Sequence, residues 1–439
     1  MNGTWRRGLK ISFVIGVIVR RDAISNICLQ QVDALTRHAR QNRYPLSVKV
    51  YTTTSEVPDS RIATVADFAS IITDAHFLES DVVLFHFGIY TPLFDAIHFA
   101  GPMTKKLVYF HGITSPMLVH ADQRPVLFRS YDQAVNLHAA DRVLVTSRYL
   151  MRELDRMGLA AEKMVQTPPS ISFPVPAESP TPRSMEDGDL RLVYVGRFVR
   201  AKGVLDLLRG LAAFGQRTQQ PFRLDLVGSK TFSDPEYIEQ LLEQVRQSGL
   251  SGAVHFHFDA PNSKLTQLLR EGHALVNPSY HEGFCVPVLE AFTCGCFVIC
   301  SNAGALPETS HSLGRTFPMG NAEALAACLV EFGAARRRHG FQTDSGFLAD
   351  DDWTHHTRRY VAELSPTRSD ERFCAAMLEN LQLIDSELRQ VVAQRRRKLI
   401  RELHGSPIQP PRDCRSGFIA DKHSARDAAV GDLTALAAP

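Results

Sequence analysis

The chain has 439 residues, 44% of them hydrophobic and 22% charged, proportions ordinary for soluble globular protein, and its length implies more than one domain. A formal net charge of +2 removes any global electrostatic reason to expect nucleic acid or an acidic partner. The eight cysteines include no C-x-x-C pair, which argues against a zinc ribbon, and several lie in apolar runs, like buried thiols of a reduced protein.

The opening stretch WRRGLKISFVIGVIVRRD has the basic start and apolar run of a signal peptide. Arg20, Arg21 and Asp22 follow the run with no small-residue cleavage site, so 9–19 is read as a first buried strand. No run approaches the roughly 20 apolar residues of a membrane span, and a cytoplasmic location is expected. A helix is predicted from Ser25 to about Arg40, with Ile27, Val32, Leu35 and Ala39 on one face. Strands are predicted at 46–51, 81–87, 106–112 and 141–147, with helix-length segments between them. Such alternation implies a parallel α/β sheet.

The segment 173–189 is rich in proline, serine and acid, lacks periodicity and reads as a linker. Alternation then restarts, with strands at 190–196, 222–228, 252–258, 273–279 and 296–301 and a helix over 203–214. The expected fold is α/β: two doubly wound domains, 1–172 and 190–345, facing across a cleft. Ligands of such sheets bind outside the carboxyl ends of the strands. Residues 346–405 read as a helical extension ending in a charged helix over 385–405, and 406–439 as a loosely packed tail.

Two stretches carry candidate chemistry. In VYVGRFVRAKG a strand ends at Gly196, Arg197 follows, and Lys202-Gly203 opens a helix. Two cations beside free helix amides suit a diphosphate; solvated loop cations are the alternative. In HEGFCVPVLEA, Glu282 lies on a loop, Gly283 and Phe284 lead to Pro287, and Glu290 follows about one turn into a helix. A carboxylate there either accepts hydrogen bonds from paired sugar hydroxyls or caps the helix.

Taken together, Gly196-Arg197, Lys202-Gly203, Glu282 and Glu290 resemble the GR-x-x-x-x-KG and E-x(7)-E pattern of glycosyltransferase family 4. NPSYHEGF (277–284) and NAGALPE (302–308) are also similar to segments of that family. In the N-terminal half, Asp22-Ala23 with Asn26, FHFGIYTPLF (86-containing) and YFHGITSP (111-containing) resemble mannosyltransferase-like enzymes of bacterial polysaccharide assembly. The glycine pair many members carry after strand one is replaced by Arg20-Arg21-Asp22, and Gly112 stands where they have asparagine.

The resemblance implies a retaining enzyme of GT-B fold, two Rossmann-like domains with 190–345 binding the nucleotide sugar. It implies a nucleoside-diphosphate sugar donor, a hexose such as mannose as the group transferred, and a glycan or lipid-linked glycan acceptor. Arg197 and Lys202 would hold the diphosphate, Glu282 the sugar near its anomeric centre, Glu290 the ribose, and His111 the transferred sugar. Gly196, Gly283 and Phe284 would line the donor site; His86, Asp22 and Asn26 would lie on the acceptor side. No cofactor and no catalytic metal are expected: His355-His356 lacks a partner cluster, and Asp350 to Asp352 fall in no strand-end context. Cys294 and Cys296 read as core packing. The basic run at 395–403 reads as a solvated helix face, with peripheral contact to anionic lipid at the inner face of a membrane as the alternative. Other activities on the same fold are a sugar phosphorylase, a nucleotide-sugar epimerase or a non-catalytic sugar-nucleotide-binding protein. Retention of both Glu282 and Glu290 argues against the last.

Overall fold

The computed structural model describes residues 8–20, 22–169, 189–379, 381 and 386–403. The expected linker, except Asp189, and the expected tail lie outside these residues.

The first sheet contains β1 (Leu9–Val14), β2 (Leu46–Thr52), β3 (Ile62–Thr64), β4 (Val82–Phe87), β5 (Lys105–Phe110), β6 (Arg142–Val145) and β7 (Met164–Gln166). Its order is β3-β2-β1-β4-β5-β6-β7, and every pairing is parallel. β4 is buried along its whole length, which explains its unbroken apolar run: a parallel sheet has both faces covered. One face packs under helix α1 (Ala23–Gln41) through Ile27, Val32 and Leu35. Asp22 starts that helix, its carboxylate accepting from the Ser25 amide at 2.8 Å and the Ser25 hydroxyl at 2.9 Å.

The second sheet contains β8 (Leu190–Val195), β9 (Phe222–Gly228), β10 (Val254–Phe258), β11 (Ala274–Asn277), β12 (Phe297–Ser301) and β13 (Arg315–Phe317). It is also all parallel, in the order β10-β9-β8-β11-β12-β13. In both sheets the order reverses beside the first strand, between β1 and β4 and between β8 and β11. Such switch points open crevices at the carboxyl ends of the strands. The segments that leave β8 and β11 there are the Arg197 and Glu282 loops.

The C-terminal segment is arranged differently from a separate extension. The hairpin Gly340–Thr343 with Gly346–Ala349 spans position 345, and Trp353 of the helix Asp350–Glu363 is buried in the second domain's core. The next helix, Pro366–Leu378, returns to the first domain. Its Phe373, Cys374 and Met377 join the core beneath α1, and Asp370 pairs with Arg37 at 2.6 Å. The helix Ser386–Leu403 places Ala393 in the opposite core face of that domain, and Arg396 donates to the Phe99 carbonyl at 2.9 Å. The basic helix is thus packed against the first domain, with Arg396 docked; Arg395 and Lys398 are exposed.

Candidate active site

Gly203 fixes the Lys202 end of the first loop. It adopts φ 63°, and a Cβ there would lie 2.2 Å from the Pro278 carbonyl oxygen. Only glycine permits this approach, which brings the loops after β8 and β11 together. The Lys202 ammonium lies 2.7 Å from Glu282 Oε1, and the Ser279 hydroxyl donates to the same oxygen at 2.9 Å. Burial pushes the Glu282 carboxyl up, but the Lys202 charge and the two hydrogen bonds outweigh it, and the net shift is downward. Arg197 is exposed, and its guanidinium has no hydrogen-bond or ion-pair partner among the described residues. The helix following Gly203 offers fewer free amides than its sequence implies, because Leu205 N donates to the Tyr237 hydroxyl at 3.1 Å.

Glu290 is the fifth residue of the helix Val286–Thr293 and does not cap it; Cys285 occupies the cap position, its side chain making no capping bond. The Glu290 carboxylate is half-buried and has no hydrogen-bond or ion-pair partner among the described residues. Burial raises its pKa from 4.5 to about 7. A carboxyl raised in the folded state contributes stability that is complete below the unfolded value and lost as pH rises through about 7. Glu290→Gln cannot ionise. Its melting temperature should match wild type near pH 4.5 and exceed it increasingly up to pH 8; equal melting temperatures at pH 8 would show that the carboxylate is not strained.

Across the cleft, the β4–β5 register sets His86 opposite Tyr109. His86 is buried and stacks on Tyr109 and His111, at 5.6 and 5.2 Å between ring centroids. Its Nδ1 lies 3.0 Å from His111 Nε2. Burial lowers both histidines, His111 to about 3, so both rings are neutral. One proton lies between them. His86 Nε2 is buried with no partner, so protonating it would strand a donor. The better tautomer has His86 Nδ1–H donating to His111 Nε2, which leaves His111 with its proton on Nδ1. Asp22 is occupied as the α1 cap, and Asn26 is exposed one turn farther along.

The two halves of the cleft touch. The Thr146 and Ser147 hydroxyls of the first domain both donate to the Gly283 carbonyl, at 3.0 and 2.7 Å. His281 lies 3.8 Å from Glu153 and against the Tyr149 ring. Sequence reasoning missed Ser147, Ser279 and Glu308 as contributors. Ser147 carried a usable signal, a serine between a strand and a helical pattern. The Asp350 to Asp352 run opens a helix, with Asp350 paired to Arg336; His355 and His356 are exposed on the same helix. Among the described residues no group of three His, Cys, Asp or Glu side chains could hold a metal ion.

Residues 179–332 match the family of Glycosyl transferases group 1. The chain carries a glycosyltransferase group 1 domain. The group 1 domain contains every donor-side residue described above. The chain is 28% identical over 139 residues to O-antigen chain mannosyltransferase B of Escherichia coli, covering 32% of this chain and 35% of that protein. It is 32% identical over 162 residues to glycogen synthase of Mycobacterium tuberculosis, covering 36% of this chain and 38% of that protein. The alignments therefore span little more than a third of these curated relatives. The fold extends further. The crystal structure of Anabaena Alr3699/HepE in complex with UDP and glucose superposes with a TM-score of 0.59 at 15% identity, covering 84% of this chain and 99% of that one. Two facing Rossmann-like domains are the GT-B arrangement that the sequence resemblance implied.

Proposed function

We propose that this protein is a retaining glycosyltransferase that moves a hexose, mannose being the leading candidate, from a nucleoside-diphosphate sugar to a glycan or lipid-linked glycan. The observation that carries the reading is the set of groups around the β8–β11 switch point. An unpartnered cation and a lysine held by an ionised glutamate lie on two loops of a group 1 domain, and an unpartnered carboxylate lies on the helix that follows the second loop. The structural relative crystallised with UDP and glucose supports a nucleotide-sugar donor, and the E. coli relative's name supports mannose.

In this reading Arg197 and Lys202 bind the diphosphate and stabilise the charge that grows on it as the sugar–phosphate bond breaks. Glu282 keeps the Lys202 ammonium in place and faces the sugar. Glu290 accepts from the ribose hydroxyls, which rewards its ionised form and offsets its burial. His111, neutral and carrying its proton on Nδ1, donates to the transferred sugar. The acceptor oxygen attacks C1 from the face that the phosphate leaves, its proton passes to the departing phosphate oxygen, and the anomeric configuration is kept. Two cations serve the leaving group, so no metal is needed.

The test combines three measurements on one reaction. A thermal-shift panel of nucleotide sugars should identify a donor that raises the melting temperature. With that donor, NMR of the first-formed product should show an α-linked glycoside from an α-linked donor, and the rate should persist in EDTA. A β-linked product would refute retention. Activity lost in chelator and restored by Mn²⁺ or Mg²⁺ would refute metal independence.

A further inference from the structure

The group 1 domain does not hold its Glu282 loop alone. Gly283, the next residue, has its carbonyl between two hydroxyls of the other domain, those of Thr146 and Ser147. Ser147 is also the cap of the helix Arg148–Arg156, its Oγ accepting from the Leu150 amide at 3.3 Å. One hydroxyl therefore joins the start of a first-domain helix to the Glu282 loop. A second link enters from the NAGALPE segment. The Glu308 carboxylate crosses the domain boundary to the same helix start and accepts from the amides of Arg148 at 2.9 Å and Tyr149 at 3.2 Å. It also accepts from the Gln166 side-chain amide at 3.0 Å. The Glu308 segment is itself tied to the loop, since Ala305 N donates to the Glu282 carbonyl at 2.9 Å and the Thr309 hydroxyl donates to the Phe284 carbonyl.

We propose that Ser147 and Glu308 are positioning residues that couple contact between the two domains to the geometry of the Glu282 loop. Glu308 supplies a carboxylate to the free amides of a helix that begins in the other domain, an anion where the helix dipole favours one. Its side chain is 20% exposed, so these bonds are partly shielded from water. When the domains separate, the Arg148 and Tyr149 amides lose their acceptor and the Gly283 carbonyl loses both donors. The loop that carries Glu282 is then held from one side only. The Arg197–Lys202 and Glu290 groups all lie within the second domain and bind without the link. Its loss should therefore act on turnover and leave donor affinity unchanged.

The proposal uses the transferase reading for its kinetic arm alone. The first arm is amide hydrogen exchange on the protein without donor. In Glu308→Gln the Arg148 and Tyr149 amides should exchange about tenfold faster or more, because an amide side chain offers them one neutral oxygen in place of two charged ones. Unchanged exchange would overturn the link itself, whatever the enzyme does. The second arm is kinetic. Glu308→Gln and Ser147→Ala should lower kcat by about tenfold to a hundredfold, the cost of a small misplacement, with donor Kd by calorimetry unchanged. Ser147→Thr, which keeps the hydroxyl and the cap, should restore kcat. Equal loss of kcat and donor affinity, or no rescue by threonine in a folded protein, would reduce both residues to general stabilisers.

Discussion

Lys202→Ala should abolish most of the activity and weaken the second domain, for two separable reasons. The first is chemical. In the proposed reaction Lys202 is one of two cations facing the leaving diphosphate, and losing one such contact typically costs a hundredfold or more in rate, about 3 kcal/mol. The second is structural. The Lys202 and Glu282 side chains are 18% and 12% exposed, and removing the ammonium leaves a carboxylate largely out of water with the Ser279 hydroxyl as its remaining hydrogen-bond donor among the described residues. Breaking such a pair from one side costs about 3 kcal/mol, whereas replacing both partners by neutral groups of similar shape is often close to neutral. Lys202→Ala should therefore lower the urea midpoint clearly. Lys202→Met with Glu282→Gln should recover the midpoint while the protein remains inactive. A double variant as unstable as the single one would show that the ion pair is not the source of the loss. A single variant with near-normal kcat would remove Lys202 from the leaving-group side.

How much of this was readable in the sequence depends on where each residue gets its structure. The long strands announced themselves because a parallel strand covered on both faces must be apolar throughout, as Val82–Phe87 is. The edge strands Ile62–Thr64, Met164–Gln166 and Arg315–Phe317 did not, since three residues show no period. The helix Pro366–Leu378 falls inside a stretch read only as a helical extension, and nothing in its pattern says which domain it covers. Only the pairing of Asp370 with Arg37 and the burial of Phe373 under α1 do so. The same division runs through the site. Residue type and spacing singled out Arg197, Lys202, Glu282 and Glu290. That Lys202 and Glu282 pair with each other, and that Glu308 serves a helix of the other domain, depends on contacts 80 and 160 positions apart in the chain. Asp22 is the opposite case: a residue placed on the acceptor side by resemblance whose carboxylate is engaged in starting a helix.

Gly304→Ala should reduce turnover about as severely as many changes to the contact residues, although Gly304 carries no functional group. Gly304 adopts φ 59°, a left-handed conformation that costs an alanine about 1 kcal/mol. The larger effect is steric. A Cβ at this position would lie 2.4 Å from the Glu282 carbonyl oxygen and 2.7 Å from the Glu282 nitrogen. Ordinary contact begins at 3.4 Å, so one backbone or the other must retreat by about 1 Å. The Glu282 backbone is the one bound here, through the Ala305 amide at 2.9 Å, so the displacement passes to the side chain that holds Lys202. A shift of that size in a catalytic group commonly costs about a hundredfold in rate. Arg197 and Glu290 lie outside the contact, so nucleotide affinity should stay within a few-fold of wild type and the folded state should persist with a lowered melting temperature. The small residues of NAGALPE would then be explained by what they admit: a second loop pressed against the backbone of Glu282. A kcat within about threefold of wild type would mean that the strain is absorbed on the Gly304 side, and that Glu282 needs no such support.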